Sequence, residues 1–146
     1  MNTITTTPCA KINLGLNIVE RRNDGYHNLE TVFLPVPIFD TLTIRRNSSA
    51  DGSCSLIAND TPIPGAPEQN LVVKAYNALC KEHALPGVEI SLTKDIPTQA
   101  GMGGGSADCA YTLTALNEMF DTGLCDAELT GIAAKLGADC PFFIKS

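Results

Sequence analysis

A stretch with four glycines in five positions joins a strand-like run to a helix-like run. Residues 97–107 read Pro-Thr-Gln-Ala-Gly-Met-Gly-Gly-Gly-Ser-Ala, after an alternating run at 88–92 and before a helical pattern that reaches about residue 120. Glycine lets the backbone come close to a ligand. The first N–H groups of a helix have no partner inside the helix and attract anions. The stretch therefore predicts a phosphate-binding loop at a helix start, with Ser106 as the N-cap.

Two better-known phosphate loops do not match this stretch. A dinucleotide fingerprint requires Gly-x-Gly-x-x-Gly, and the sixth position counted from Gly101 is Ser106. A P-loop requires Gly-Lys followed by Ser or Thr, and the sequence contains no Gly-Lys pair. A flexible connector is the remaining alternative. It has little need of four glycines, because each one adds to the entropy cost of folding.

Three other short segments carry polar groups that could do chemistry: 10–13 with Lys11 and Asn13, 24–27, and 137–141 with Asp139. Taken singly, each has an ordinary explanation. Lys11 could be an exposed lysine on an edge strand, Asn13 a strand amide with a local hydrogen bond, and Asp139 a residue of a helix-ending turn. Asp-Gly at 24–25 is by default a hairpin turn.

Together the segments favour phosphoryl transfer to an alcohol. This reaction needs a phosphate cradle, a cation near the transferred group, and a group that orients or deprotonates the hydroxyl. The glycine loop, Lys11 and Asp139 supply one of each. Tyr26 offers an aromatic face on which a base could stack, and His27 could hydrogen-bond the edge of that base.

The elements that must position these groups are predicted to be strands in the first half of the chain and mainly helices in the second half. Alternation predicts strands at 10–19, 27–36, 41–44 and 54–58, with a turn at Asn23-Asp24-Gly25 and a proline-rich loop at 59–69. Helices are predicted from an Asn70 N-cap to about residue 83, over about 106–120, and from an Asp126 cap to Gly137, with a strand at 88–93. Strands first and helices later indicate an α+β fold. A last strand predicted to begin at Pro141 suggests that the sequence is the front part of a longer chain.

Composition narrows the class of protein. A length of 146 residues fits one domain, and 44% hydrophobic residues can fill its core. The net charge of −6 argues against nucleic-acid binding, so any positive potential must be local, and Lys11 and Lys94 are the candidates. No apolar run approaches the ~20 residues of a membrane span, and the start lacks a signal peptide. The six cysteines form no Cys-x-x-Cys pair, which predicts buried thiols in a reducing cytoplasm and no zinc site.

The loop resembles the nucleotide-binding signature of the galactokinase, homoserine kinase, mevalonate kinase and phosphomevalonate kinase (GHMP) superfamily. Within it, segments 10–14, 21–27 and 136–142 resemble the 4-diphosphocytidyl-2-C-methyl-D-erythritol kinases of the non-mevalonate isoprenoid pathway. The Asp-Gly-Tyr-His segment discriminates best, because the wider superfamily lacks it. The resemblance covers about residues 8–144.

The resemblance implies a fold and an activity. The fold is a ribosomal-protein-S5-like N-terminal domain, a mixed sheet with helices packed on one face. Residues 1–146 would be the ATP-binding domain, and the family's C-terminal domain would have no counterpart in this chain. The activity is ATP-dependent phosphorylation of the 2-hydroxyl of the cytidyl diphosphate substrate, with Mg²⁺ accompanying ATP and with no nucleic-acid or membrane partner. The alternatives are another GHMP kinase, such as homoserine or mevalonate kinase, and a non-catalytic nucleotide-binding module. An S5-like nucleic-acid-binding domain is disfavoured by the acidic balance.

Site roles follow from the resemblance residue by residue. Lys11 and Asp139 match the catalytic pair, Asn13 would position the substrate, and Tyr26 and His27 would sandwich and read the cytosine ring. Met102 stands in place of the usual leucine. Ala107 stands where the family typically has a second serine, which removes one possible phosphate or magnesium contact. The residues implied to bind the nucleotide are Lys94, Pro97, Thr98, Gln99, Ala100, Gly101, Met102, Gly103, Gly104, Gly105, Ser106 and Ala107.

Overall fold

A computed structural model describes residues 2–21, 27–47, 52–59, 66–96 and 104–144, with side chains for these ranges except 13–21, 27–33 and 59. The strands in the described ranges are β1 Thr3–Thr6, β2 Cys9–Arg21, β3 His27–Phe39, β4 Thr41–Asn47, β5 Cys54–Asn59 and β6 Gly87–Thr93. The helices are α1 Leu71–Cys80, α2 Gly104–Phe120 and α3 Asp126–Leu136, with short 3₁₀ helices at Pro67–Gln69 and Cys140–Ile144.

The strands form two sheets. The larger has the order β1-β4-β6-β5, in which β5 and β6 are parallel and the other neighbours are antiparallel. Parallel neighbours need a crossover connection, and α1 lies in the chain between β5 and β6. Strands β2 and β3 pair with each other as an antiparallel ribbon whose register shifts at three places. The mixed sheet with helices confirms the predicted α+β class.

The core lies on one face of the larger sheet. Along β6, Val88, Ile90 and Leu92 are buried, whereas the residues between them are half-buried, as the period of two in a strand requires. On β4, Leu42 and Ile44 add to the same cluster, which the buried faces of the three helices complete.

Most predicted elements are confirmed, with shifted ends. Asn70 is the N-cap of α1, and its side chain accepts a hydrogen bond from the Val72 amide at 3.0 Å. Helix α1 ends at Cys80, earlier than predicted, because the amides of Glu82 and His83 both turn back to the Leu79 carbonyl. Strand β3 runs three residues beyond the predicted end at 36. The predicted turn at residues 23–25 lies outside the described residues.

Three local predictions are wrong. Ser106 is not an N-cap, because α2 already begins at Gly104. Asp126 is the first residue of α3, and the cap is Cys125, whose amide donates to the Glu128 carboxylate at 3.2 Å. The segment from Pro141 is a 3₁₀ helix and not a strand. Phe143 and Ile144 have strand propensity, but that helix turns both into the core.

The cysteines are all free thiols. Cys9, Cys109 and Cys140 are buried, as predicted, but Cys125 is exposed at the start of α3. Among the described helices, none combines the length and apolar character that crossing a lipid bilayer requires.

Candidate active site

Lys11 and Asp139 form an ion pair between distant parts of the chain. The Lys11 Nζ lies 3.4 Å from the Asp139 Oδ2. The lysine side chain is 4% exposed and the aspartate side chain is 41% exposed. The cation is therefore fixed inside the protein, and the carboxylate that it faces remains open to a ligand.

The turn that carries Asp139 is held at both ends. The Gly137 amide donates to the Ala133 carbonyl at 3.1 Å and so closes α3. The amides of Cys140 and Phe142 then donate to the carbonyls of Gly137 and Asp139, each at 3.3 Å. Buried side chains anchor the 3₁₀ helix that follows, so Asp139 projects from a turn that is fixed on both sides.

The first turns of α2 pack against this same turn. A methyl group placed on Gly137 would lie 3.0 Å from the Cys140 sulfur and 3.9 Å from the Ser106 hydroxyl oxygen. Hydrogen bonds from Cys109 and Ser106 hold the pKa of Cys140 below its usual value, although burial acts to raise it. The hydrogen bond between the Cys109 and Cys140 thiols, together with burial, raises the pKa of Cys109. The Lys11–Asp139 pair and the start of α2, which the sequence predicted to work together, thus share one corner of the fold.

The start of α2 suits an anion. Its first turn carries no acidic residue and begins with Gly104 and Gly105. Small residues leave the unpaired amide N–H groups approachable, and the helix dipole adds positive potential there. Gly105 is exposed and Ser106 is half-buried, whereas the Ala107 side chain is buried in the core.

Lys94 lies in a buried cluster with two aspartates. Its Nζ donates to the Asp40 Oδ2 at 2.6 Å and to the Asp108 Oδ2 at 2.8 Å. Resemblance placed Lys94 near the nucleotide; in the structure its ammonium lies behind the start of α2 and already has two carboxylate partners. The Asp40 Oδ1 accepts from the amides of Asp95 and Ile96 at 2.7 and 2.8 Å.

The protonation of this cluster follows from burial and pairing. Burial and a hydrogen bond with Asp40 raise the pKa of Asp108 to about 8. Burial also acts to raise the pKa of Asp40, but hydrogen bonds with Asp108, Lys94 and the Ile96 amide outweigh it and leave that pKa below its usual value. Burial alone would lower the pKa of Lys94, yet the two aspartates raise it. At neutral pH the cluster therefore holds Lys94 charged, Asp40 ionised and Asp108 largely protonated, with no net charge.

Sequence reasoning missed Asp40 and Asp108. Both are buried polar residues, and the Asp108 Oδ1 has no hydrogen-bond partner among the described residues. Neither stands in a recognisable motif: Asp40 meets Lys94 through the pairing of β4 with β6, and Asp108 meets it from α2.

The remaining predicted site residues are described less fully. Asn13 lies on β2 opposite Phe33, and His27 opens β3 opposite Arg21; only their backbone is described. Tyr26 and residues 97–103 lie outside the described residues.

Comparison with known proteins identifies the family. The family model for the GHMP kinases N terminal domain matches residues 70–146, just over half of the chain. This chain belongs to the GHMP kinase family. Membership implies the use of ATP.

Individual relatives show which GHMP kinases this chain is similar to. A 4-diphosphocytidyl-2-C-methyl-D-erythritol kinase from Bacteroides fragilis is 55% identical over 97% of this chain and 52% of its own length. A solved 4-(cytidine 5'-diphospho)-2C-methyl-D-erythritol kinase is 36% identical, with a TM-score of 0.78, over 97% of this chain and 49% of that one. A homoserine kinase from Cytophaga hutchinsonii, 20% identical with a TM-score of 0.68 over 93% of this chain and 41% of that one, shares the GHMP fold. The chain spans about half the length of the curated relatives it matches.

Adjacent glycines at the start of this GHMP helix should respond differently to alanine. A methyl group on Gly104 would lie 3.0 Å from both the Lys94 Nζ and the Ile96 Cγ2, whereas one on Gly105 would meet only Leu71, at 3.8 Å. Because the two carboxylates pin Lys94, we expect Gly104→Ala to lower the free energy of unfolding by about 1–3 kcal/mol. Gly105→Ala should be neutral or stabilising by up to about 1 kcal/mol. Urea unfolding of both variants measures the difference, and equal effects would contradict the packing described.

Asp108 should impose a pH dependence on stability. Its pKa is about 8 in the folded protein, above that of an unfolded aspartate, so folding retains a proton that the unfolded chain releases. Its contribution to stability is complete below about pH 4 and is lost as the pH rises to about 8. Relative to wild type, Asp108→Asn should therefore gain stability between pH 5 and pH 8. Urea unfolding across this range tests the expectation, with Glu118→Gln, exposed on the same helix, as the control; an Asp108→Asn profile parallel to wild type would refute it.

Proposed function

We propose that this chain provides the nucleotide-binding and catalytic portion of an ATP-dependent kinase that phosphorylates the 2-hydroxyl of 4-diphosphocytidyl-2-C-methyl-D-erythritol. The observation that carries the proposal is the Lys11–Asp139 pair, 3.4 Å apart, in the same corner as the anion-attracting start of α2. The 55% identity to a kinase named for this substrate supports it among the GHMP substrates. The corresponding pathway is the non-mevalonate route to isoprenoid precursors, and the corresponding location is the cytoplasm.

The proposed chemistry assigns one task to each member of the pair. Asp139, open to the ligand, accepts or orients the proton of the attacking hydroxyl. Lys11 holds that carboxylate in place and offsets the negative charge that develops during transfer. The arrangement suits both tasks, because the buried ammonium cannot turn away to water while the exposed carboxylate can reach a substrate.

The proposed binding roles surround this pair. Residues 97–103 and the first turn of α2, with Gly104, Gly105 and Ser106, would cradle the phosphates of ATP. Tyr26 would stack on the cytosine ring, His27 would hydrogen-bond its edge, and Asn13 would position the alcohol. Lys94 would support the phosphate-binding residues indirectly, through the hydrogen bonds of its ammonium with Asp40 and Asp108.

The proposal includes Mg²⁺ as the ion that accompanies ATP. It prefers oxygen ligands and usually binds through substrate phosphates with one or two carboxylates. No group of three or more metal-ligating side chains occurs in the described ranges. The metal would therefore be carried chiefly by the ATP phosphates, where it neutralises charge on the transferred group.

Turnover of a panel of alcohols tests the function. We expect the complete gene product to consume ATP with the cytidyl diphosphate substrate and not with homoserine or mevalonate. Consumption with homoserine or mevalonate instead would assign another GHMP kinase. ATP binding without turnover on any of the alcohols would indicate a nucleotide-binding module.

Asp139→Asn tests the chemistry. The two side chains have similar sizes, so the fold and the KM for ATP should change little, whereas kcat should fall by about 10²–10⁴-fold with the loss of the proton acceptor. Lys11→Met should also lower kcat, and the double variant should lose less than the product of the single losses, because the residues act as a unit.

The control for this series is Asp121→Asn, at an exposed position with φ 51° that asparagine also tolerates. It should retain wild-type kcat. Near-wild-type kcat in Asp139→Asn would instead leave Asp139 as a turn residue only.

A further inference from the structure

The chain segment on each side of residues 97–103 contacts one buried group of charges. We define the clamp cluster as Asp40, Lys94 and Asp108. Lys94 immediately follows β6, Asp40 stands between β3 and β4, and Asp108 lies on the first turns of α2. The side chains of Asp40 and Asp108 are buried, and that of Lys94 is 9% exposed.

The cluster holds the incoming end of the segment through the Asp40 carboxylate. One oxygen accepts from two successive backbone amides, those of Asp95 and Ile96, at 2.7 and 2.8 Å. The other oxygen accepts from the Lys94 ammonium at 2.6 Å. Three consecutive residues are thereby tied to one side chain directly before residue 97.

The same ammonium holds the outgoing end. Lys94 donates to Asp108 at 2.8 Å, four residues into α2 from Gly104. Residues four apart share a helix face, so Gly104 and Asp108 both face the ammonium, and a Cβ at position 104 would crowd it at 3.0 Å from the Nζ. One lysine thus links the chain before residue 97 to the chain after residue 103.

The ordinary explanation for such a cluster would be that it stabilises the pairing of two neighbouring strands. Strands β4 and β6 already pair over their whole length, from Thr41 opposite Thr93 to Asn47 opposite Gly87. The Asp40–Lys94 ion pair continues this register by one position. The other hydrogen bonds of the cluster lie beyond both strands, on the backbone at 95–96 and on α2.

We infer that Asp40 is a positioning residue for the nucleotide, acting through the clamp cluster to fix the separation and orientation of the two chain ends that bracket residues 97–103. The inference rests on the proposed function for its ligand, ATP. Asp40 itself acts on backbone amides and on Lys94, and has no part in the phosphoryl transfer.

Asp40→Asn in the complete gene product is the principal test. The asparagine oxygen can still accept from the two amides, but its amide group cannot accept from Lys94. Without nucleotide, we expect the amides of 104–108 to exchange hydrogen about tenfold faster, as measured by mass spectrometry of peptides. We also expect the KM for ATP to rise about tenfold, the loss typical of one hydrogen bond to a charged group, with the KM for the alcohol unchanged within about twofold.

Glu89→Gln is the matched control. It removes the exposed Arg45–Glu89 pair, 3.7 Å apart, which joins the same two strands away from the cluster. It should alter neither exchange at 104–108 nor either KM. Asp108→Ala is a second variant in case Asp40→Asn does not fold, because it keeps the Asp40–Lys94 pair and removes the bonds that Asp108 makes to Lys94 and to Asp40. It should reproduce the rise in the KM for ATP, and Asp108→Asn, which mimics the protonated acid, should restore the wild-type value.

The outcomes separate this inference from the proposed function. Uniformly faster exchange with equal changes in both KM values would make Asp40 a stabilising residue only and overturn the inference. Faster exchange confined to 104–108 without a change in the KM for ATP would overturn its nucleotide role. If the wild type consumed no ATP with any alcohol, the proposed function would fail and the inferred nucleotide role with it, whereas the exchange data would still decide whether Asp40 holds both chain ends.

Discussion

A buried ammonium group needs counter-charges. In this protein the counter-charges of Lys94 come from Asp40 and Asp108, and these three residues connect the chain before residue 97 with the chain after residue 103. Taking a charge out of water costs several kcal/mol unless good hydrogen bonds replace the water. Lys94 obtains two such bonds, from carboxylates on different elements. Burial and a hydrogen bond with Asp40 raise the pKa of Asp108 to about 8, so at neutral pH one of the two carboxyl groups is largely protonated and the cluster carries no excess negative charge. The hydrogen bonds of Lys94 and Asp40 join the end of β6 to the start of α2.

Helix α2 connects this charge balance to the proposed chemistry. Positions 104 and 108 lie on one face of the helix, next to Lys94, while Ser106 and Cys109 are three apart and meet the turn at Cys140 on a neighbouring face. Asp139 lies one residue before Cys140, and Lys11 pairs with it from β2. A single helix start therefore contacts both a buried charged cluster and the turn that carries an exposed carboxylate, which keeps the two in a fixed relation.

The sequence predicts the positions of strands and helices better than the side-chain contacts between distant residues. Alternation located β4, β5 and β6 within a few residues, because one face of each strand is packed against other elements and the other is not. The predicted helix ends are less accurate, although Ser106 and Asp126 are good capping residues. Helix α2 begins two residues before Ser106, and α3 begins at Asp126 itself, with Cys125 as its cap. Pro141 was placed at a strand start, since Phe and Ile favour strands, yet burial of Phe143 decided the local geometry. The needs of phosphoryl transfer bring Lys11 and Asp139 into one predicted site, and the family resemblance implies that they are a catalytic pair. Asp40 had no such signal, because its role exists only where three elements meet.

The register shifts of the β2–β3 ribbon bear on how far that ribbon reaches. A regular strand rises about 3.3 Å per residue, so the ten steps from Lys11 to Arg21 would carry a straight backbone roughly 33 Å away. Pairing is interrupted between Cys9 and Ala10, between Asn13 and Leu16, and between Ile18 and Glu20. Each interruption of this kind bends a strand and increases its twist. The ribbon is thus a curved arm, and the direct path from Lys11 to its far end, where His27 pairs with Arg21, is shorter than its contour.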